Sequence, residues 1–268
     1  TNKGWVFVLH ADLGLIRWYA EVTRPDHPMG RPTHALQEGP YAGAAVIAAF
    51  EDLFIFDRVS GRLLRRIHTG APLSTGGVCD GEAVIVGATN ARFYCYDLAS
   101  GILRWQVLTD GPITATPAIL GEYFYVASQD GRVYCGTRHN KLRNWIFRTP
   151  GPIYGDIHVE RTGVYLASAD RFVYRVDPAT GTRIWRYRMP GPLTEGPVVT
   201  RDTVYQYADG EGIVALSKNA PVGRDQPQRR WYWNKGRHFL AQHPGATIVY
   251  DLRSSRVVPE EIRAAGGV

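Results

Sequence analysis

Residues 97–105 read DLASGILRW and residues 177–185 read DPATGTRIW, and the chain around both segments repeats. The segments end at Trp105 and Trp185, and a third tryptophan, Trp145, lies midway, so that the three are 40 residues apart. Prolines keep the same period at positions 72, 112, 152 and 192. A fixed period of this length indicates one supersecondary unit copied along the chain, with each copy burying its apolar face against the next.

One copy, residues 112–151, contains four short apolar runs. Three of them are YFYVAS at 123–128, RVYCG at 132–136 and NWIFR at 144–148, and a shorter run lies near 116–120. They are rich in β-branched and aromatic residues and are separated by Gly, Asp and Asn, as strands and turns are. Four short strands in 40 residues predict one blade of a β-propeller, an all-β fold in which radial packing protects the strand edges.

The copies set the expected domain organisation. Whole copies begin near positions 32, 72, 112, 152 and 192, and partial copies lie at 4–18 and 240–251. We expect a single propeller domain over residues 1–258, with six or seven four-stranded blades, and a C-terminal tail over 259–268. The partial copies fit two arrangements, a closing blade shared by both ends of the chain or a truncated part of an eight-bladed ring. We favour closure, and the alternative stays open.

The recurring string D-x-x-[ST]-G-x-x-x-W has a physical logic. Asp and Ser or Thr hydrogen-bond within their own turn, and Gly supplies a positive φ or a close approach. The tryptophan then lies against the adjoining blade and buries roughly 150–250 Å². We expect this structural docking role for Asp97, Gly101, Trp105, Trp145, Asp177, Gly181 and Trp185. Single copies depart from the string, with Arg65 at one tryptophan position and Arg175 where a small residue is expected.

Composition argues against several classes of partner. The formal net charge is +6, but the basic residues are spread over every copy, whereas a nucleic-acid groove needs them clustered on one face. We therefore expect no nucleic-acid partner. The sequence contains no apolar segment of about 18 residues, so we expect no membrane-spanning segment.

The three cysteines do not predict a disulfide framework. Cys95 and Cys135 occupy the same repeat position in neighbouring copies, and Cys79 has no counterpart. Equivalent strands of adjacent blades lie farther apart than the roughly 4.4–6.8 Å between Cα atoms that a bridge requires. We expect three free thiols that act as small buried apolar groups.

The string at Asp177, Thr180, Gly181 and Trp185 resembles the tryptophan-docking motif of propeller repeats of the pyrroloquinoline-quinone (PQQ) type. The segment that contains it, VYLASADRFVYRVDPATGTRIW at 164–185, is similar to that family almost throughout, and the resemblance extends over about residues 5–258. Within this superfamily the quinoprotein dehydrogenases are longer, bind calcium and PQQ, use a catalytic Asp and often have two adjacent cysteines. The sequence offers no adjacent cysteines and no carboxylate cluster that would place these features.

The chain is more similar to the non-enzymatic branch, which includes the propeller lipoprotein of the outer-membrane β-barrel assembly machinery. The resemblance implies a non-catalytic scaffold that binds a protein partner without a cofactor, in the periplasm or associated with the outer membrane of a bacterium. Two alternatives stay open, a propeller that binds carbohydrate or polyanions and a reduced quinoprotein dehydrogenase.

The segment RRWYWNKGRH at 229–238 is the candidate for partner binding because it interleaves aromatic rings with positive charge. Trp231 is the expected docking tryptophan of its copy. Arg229, Arg230, Tyr232 and Trp233 remain for stacking on bases or sugars or for contact with an acidic partner. Two inserts, at 24–34 and 219–228, interrupt the repeat, and loops on a rigid scaffold are where binding commonly resides.

Two carboxylates are candidate ligands of a cation. Asp156 and Glu195 lie near the starts of consecutive copies, on the strand expected to line the central channel, where they could converge. The ordinary interpretation is that both face water in that channel. The histidines recur at no common spacing, so the sequence predicts no metal site.

Overall fold

The computed structural model describes residues 4–10, 12–22, 41–137, 139, 143–208, 212–221 and 224–233, and two short strands farther along the chain. Within these residues every regular element is a β-strand, which confirms the all-β prediction. The insert at 24–34, most of the partial copy at 240–251 and the tail at 259–268 lie outside the described residues.

The strands form antiparallel sheets in which neighbours in sequence are neighbours in space. A half-blade consists of β1 (Trp5–Leu9) and β2 (Ile16–Glu21). Blade 1 consists of β3 (Ala44–Ala49), β4 (Asp52–Asp57) and β5 (Leu63–His68). Blade 2 consists of β6 (Val78–Cys79), β7 (Ala83–Ala88), β8 (Arg92–Asp97) and β9 (Leu103–Leu108).

The next blades repeat the four-stranded pattern. Blade 3 consists of β10 (Ala118–Leu120), β11 (Tyr123–Ala127), β12 (Arg132–Thr137) and β13 (Arg143–Arg148). Blade 4 consists of β14 (His158–Glu160), β15 (Gly163–Ala167), β16 (Phe172–Val176) and β17 (Arg183–Arg188). Blade 5 consists of β18 (Val198–Val199), β19 (Thr203–Ala208), β20 (Gly212–Ser217) and β21 (Arg229–Trp233). A further hairpin pairs β22 (Tyr250–Asp251) with β23 (Arg256–Val257).

The hydrophobic core is a series of layers between blades. The first strands of successive blades lie side by side, β6 next to β10 and β10 next to β14, so that each blade is covered by its neighbours. The second strands accordingly read as continuous apolar runs, and all six residues of β7 (AVIVGA) are buried. A strand that packs on both faces needs apolar side chains at every position, which explains why these segments lack polar alternation.

The outermost strands have a different burial pattern. In β9 the central Trp105 is the one buried residue, while the flanking side chains face solvent or are half-buried. Opposite the tryptophan, the pairing register shifts at the same repeat position in each blade, between Cys95 and Tyr96 and between Arg175 and Val176. Such bulges increase local twist and lead the chain into the turn that carries the docking motif.

Candidate functional site

The turn of the docking motif is held by its aspartate. Asp177 Oδ1 accepts hydrogen bonds from the backbone N–H of Ala179 and of Thr180, both at 2.9 Å, and from the Thr180 hydroxyl at 3.1 Å. The Thr180 backbone bond, with the other bonds, holds the pKa of Asp177 below its ordinary value. Asp97 makes the same turn with Ser100, and the bond from the Ser100 backbone and the side chain of Arg104 lower its pKa as well.

In two of the turns the glycine lies under the tryptophan of the preceding sheet. Trp145 Nε1 of blade 3 donates to the carbonyl of Pro178 in blade 4 at 3.0 Å. Gly181 has φ +72°, and a Cβ atom there would lie 2.6 Å from the Trp145 ring. Trp18 of the half-blade has the same relation to Gly61 of blade 1. The position therefore requires glycine both for its backbone conformation and for the space that the indole occupies.

Arg65 contacts the same kind of turn. From blade 1 its guanidinium donates to the carbonyls of Ala99 and Ser100 in blade 2, the latter at 2.6 Å, and lies over Gly101. The arginine, which the repeat places at a tryptophan position, thus makes the docking contact of a tryptophan, and sequence reasoning missed this contact. Trp105 packs with Phe124 of the next blade at 5.3 Å between ring centroids, and positions 138 and 140–142 of the following turn lie outside the described residues.

Trp185 docks between blades 4 and 5 on the turn that follows β20, at the repeat position equivalent to Pro178, and a polar network surrounds this contact. It is fully buried, and its Nε1 donates to the Lys218 carbonyl at 2.9 Å. The Lys218 ammonium donates to Glu160 Oε2 at 2.7 Å and to the Thr200 carbonyl at 3.2 Å. Lys218 belongs to blade 5, and it connects the outer strand β17 of blade 4 with the inner strand β14 of the same blade.

Arg175 completes this network. Its guanidinium donates to the carbonyls of Thr162 at 2.7 Å and Lys218 at 3.0 Å, and to Asn219 Oδ1 at 2.9 Å. The cationic groups of Arg175 and Lys218 lie 5.6 and 5.8 Å from the centroid of the Tyr165 ring. The departure of Arg175 from the small residue of the repeat was the one sequence signal for this network.

The charge of Glu160 is stabilised in place. Burial alone would raise the pKa of this carboxyl group, but the hydrogen bond from Lys218, the bond from Thr162 and the positive charge of Lys218 outweigh it. The pKa of Glu160 is therefore held below its ordinary value. The carboxylate acts as the structural counter-ion of Lys218.

Asp156 and Glu195 are used differently from each other. The Asp156 carboxylate accepts the backbone N–H of Thr116 in the preceding blade at 2.7 Å, while the backbone carbonyl of Glu195 accepts from Gln206 Nε2 at 2.9 Å. Among the described residues no three His, Cys, Asp or Glu side chains are grouped so that they could hold a metal ion. Asp156 therefore joins two blades rather than offering a vacant ligand.

All three cysteines are free. Burial raises the pKa of each thiol, to about 12 for Cys95 and for Cys135. Because thiolates are the reactive species, the folded protein should react slowly with thiol reagents.

We expect denatured, unreduced protein to react with about three equivalents of a thiol reagent, since no bridge joins any two of the three cysteines. The measurement is spectrophotometric titration in guanidinium chloride. A Cys135→Ser variant is the control and should react with one equivalent fewer. A count of one in the parent protein would mean that a pair is bridged.

The four residues predicted for partner binding separate into two groups on β21. Arg230 pairs with Asp202 at 3.0 Å, and Trp233 lies opposite Ile213 in the strand register. Arg229 and Tyr232 instead line an open groove of about 450 Å³ between the outer strands of blades 4 and 5. The other groove residues are Tyr187, Arg188, Met189, Pro190 and Val214.

The insert between β20 and β21 extends this groove. A second cavity of about 850 Å³ shares Arg229 and is lined by Pro221, Arg224, Asp225, Gln226, Pro227 and Gln228. The Asp225 carbonyl accepts the backbone N–H of Arg186 in β17 at 3.1 Å, and the Gln228 carbonyl accepts that of Ser217 at 2.7 Å. The insert therefore packs against blade 4 and forms one end of the groove.

Comparisons with known proteins agree with this architecture. The family model described as outer membrane protein assembly factor BamB matches residues 49–165 and 144–226. BamB from Moraxella catarrhalis superposes with a TM-score of 0.65 at 20% identity, over 82% of this chain and 65% of that one. The computationally designed Ika8 protein superposes with a TM-score of 0.68 at 12% identity, over 84% of this chain and 68% of that one. No curated protein sequence matches significantly.

These matches confirm the PQQ-like propeller fold. The chain spans 65% of the length of the Moraxella catarrhalis protein. None of the elements in the described part of the chain is a helix long and apolar enough to cross a membrane. Since the family model covers well over half of the residues, the chain belongs to the family of the outer membrane protein assembly factor BamB.

Proposed function

We propose that the chain is a non-catalytic scaffold that binds a protein partner during outer membrane protein assembly, in the periplasm or at the outer membrane. Membership of the BamB family supports the process and the location. The observation that carries the proposal is the groove between blades 4 and 5, where Arg229 and Tyr232 are presented beside an insert that breaks the repeat.

The use of carboxylates supports a scaffold rather than an enzyme. Asp156 accepts a backbone N–H of the neighbouring blade, and Glu160 is the counter-ion of Lys218. A catalytic acid or base must instead be able to reach a substrate proton. Both carboxylates are engaged in holding blades together.

The groove is also preorganised. The described residues of the insert are held by bonds to the Asp225 and Gln228 carbonyls, and the Arg224 N–H donates to the Pro221 carbonyl at 3.0 Å. A partner that binds a surface already ordered does not have to supply the free energy of ordering it. A propeller that holds the described part of the insert in this way is suited to presenting arginine and tyrosine side chains to a protein.

Replacement of residues 221–227 by a short Gly/Ser connection should abolish capture of outer membrane protein assembly components. The free energy of unfolding should change by less than about 1 kcal/mol, because surface loops tolerate changes of length. Asn219 is kept because it accepts a hydrogen bond from Arg175. The measurement is affinity capture from detergent-solubilised envelopes, with quantitative mass spectrometry at equal loading.

The control is Arg58→Glu, which reverses an exposed charge in the turn between β4 and β5 of blade 1, outside the groove and the network at the insert. This variant should capture the same components as the parent. Equal capture by the loop-replaced protein would contradict the assignment of the site. Oxidation of an alcohol or an aldose after addition of PQQ and calcium would place the protein in a different functional class.

A further inference from the structure

We propose that the groove between β17 and β21 binds an extended acidic segment of the partner, which adds a strand to the open edge of β17. The inference rests on the proposed function in taking the partner to be a protein, and it names the chemistry and the binding mode.

Among the described strands β17 pairs only with β16, so every second residue of β17 directs its backbone N–H and C=O away from the sheet. Phe172 is the register partner of Arg188, yet its carbonyl accepts from Ser168 N at 3.1 Å and its N–H donates to Asp170 Oδ1 at 2.9 Å. Neither group of Phe172 is directed at β17. Since backbone groups alternate along an antiparallel pair, the N–H and C=O of Arg188 are directed away from β16, toward the outside of the blade.

The insert already uses the same edge. Arg186 lies two residues before Arg188 and has the same orientation, and its N–H donates to the Asp225 carbonyl. The edge of β17 therefore accepts an extended backbone at one position. Among the described residues nothing occupies the next position, at Arg188, which lies roughly 7 Å farther along the strand.

The walls of the groove offer sites for alternate side chains. Tyr187 and Met189 lie on the side of blade 4, and Val214 and Tyr232 on the side of blade 5. A strand added to an edge gains affinity from main-chain hydrogen bonds and specificity from pockets for every second side chain. The apolar parts of this groove suit the side chains that point inward from such a strand.

Charge favours an acidic segment. Arg188, Arg224 and Arg229 are exposed around the groove, and within the described residues none of them forms an ion pair. Asp225 is the one carboxylate among the described residues that line the two cavities. Guanidinium groups bind carboxylates through paired, charge-assisted hydrogen bonds, so glutamates or aspartates on the partner strand would complement this rim.

The probe is a fluorescein-labelled peptide of about ten residues that alternates Glu and Val, as a strand with one polar face requires. Binding is measured by fluorescence anisotropy. Two control peptides should each bind at least about tenfold more weakly. A Lys/Val peptide lacks the negative charge, and a Glu/Val peptide with alternate backbone nitrogens methylated lacks the N–H donors of a strand. Equal binding by the methylated peptide, or by a heparin fragment, would overturn the proposal in favour of a polyanion site.

Two variants of Arg188 separate charge from backbone. Arg188→Ala removes the guanidinium alone, whereas Arg188→Pro also removes the outward N–H, a change that edge strands tolerate. We expect a loss of affinity of about threefold for the first and more than about tenfold for the second. Arg58→Glu in blade 1 should bind as the parent does. Equal affinity of the alanine and proline variants would contradict strand addition.

If the proline variant does not fold, amide hydrogen exchange of the parent protein tests the same hydrogen bond. The Arg188 amide should become protected when the Glu/Val peptide is added, and an unchanged exchange rate at saturation would overturn the proposal. The outcomes are distinguishable from those of the proposed function. If Arg188→Pro still captures assembly components, the groove is not the binding site, but the scaffold role stands. If the parent binds the peptide but captures no component, the scaffold role is wrong, but the strand-binding groove stands.

Discussion

Replacing Trp185 by alanine is expected to lower the free energy of unfolding by about 3–5 kcal/mol, the cost of truncating a large buried aromatic residue. The indole is fully buried, and its centroid lies 6.2 Å from that of Tyr165. Its removal leaves a cavity between blades 4 and 5 and deprives the Lys218 carbonyl of one of its donors. The measurement is equilibrium unfolding in urea.

Hydrogen exchange locates the damage. Because blades interact mainly with their neighbours, protection should fall first in β16, β17 and β20. Trp185→Phe is the matched control, since it keeps most of the buried ring and loses the N–H, and it should cost less, about 1–2 kcal/mol. Unchanged protection in blades 4 and 5 of the alanine variant would contradict the docking role.

Much of the fold could be predicted from the sequence because its determinants are local. Turn residues such as Asp177 and Gly181 act through hydrogen bonds and backbone angles within a few positions, and the strands between them show their composition directly. The 40-residue period then implies that every copy has the same neighbours. For this reason the blades persist although single motif positions change.

The contacts between blades could be predicted only in part. The repeat marks Arg65 and Arg175 only as departures from its pattern, but it does not predict that Arg65 contacts the next blade as a docking tryptophan does or that Arg175 binds the start of the insert. Lys218 and Glu160 are 58 residues apart, and no spacing rule brings them together. Such pairs depend on how two blades face each other, which composition does not encode.

The candidate groove could also be predicted only in part from the sequence. The insert at 219–228 interrupts the repeat in the sequence, and Arg229 and Tyr232 follow it directly in the segment predicted for partner binding. The side on which the insert packs could not be predicted, because its contact with the edge of β17 is a backbone hydrogen bond to the Asp225 carbonyl that no residue pattern indicates. Arg188 and Tyr187, which form the opposite wall, carry no sequence signal that distinguishes them from other outer-strand residues.

Substitution of Lys218 by methionine is expected to cost about 3 kcal/mol, because removing one partner of a buried ion pair leaves the other charge uncompensated. The value lies at the lower end of the range for such pairs because the Glu160 side chain keeps 28% of its exposure. Adding Glu160→Gln removes that charge. The double variant should therefore be more stable than the sum of the two single losses implies, by about 1–3 kcal/mol.

The same loss should depend on pH with a defined sign. In the parent protein the pKa of Glu160 is lowered, so its contribution is fully present above the ordinary glutamate pKa and is lost as pH falls through the lower folded value. Without Lys218, the pKa of Glu160 rises, because the hydrogen bond and the positive charge of Lys218 are lost while burial and the bonds from Thr162 and Tyr165 remain. The gap in unfolding free energy between parent and Lys218→Met should consequently be largest near neutral pH and narrow as pH falls below about 4.

A surface ion pair provides the control for this prediction. Arg230 and Asp202 lie 3.0 Å apart, but their side chains are 35% and 65% exposed. Arg230→Met removes the same charge from the neighbouring part of blade 5 and should cost no more than about 1 kcal/mol, since solvent screens exposed pairs. If Lys218→Met costs no more than this control, or if its loss is the same at pH 3 and pH 7, then the network around Glu160 does not hold blades 4 and 5 together. The loss of Trp185 would in that case have to be explained by packing alone.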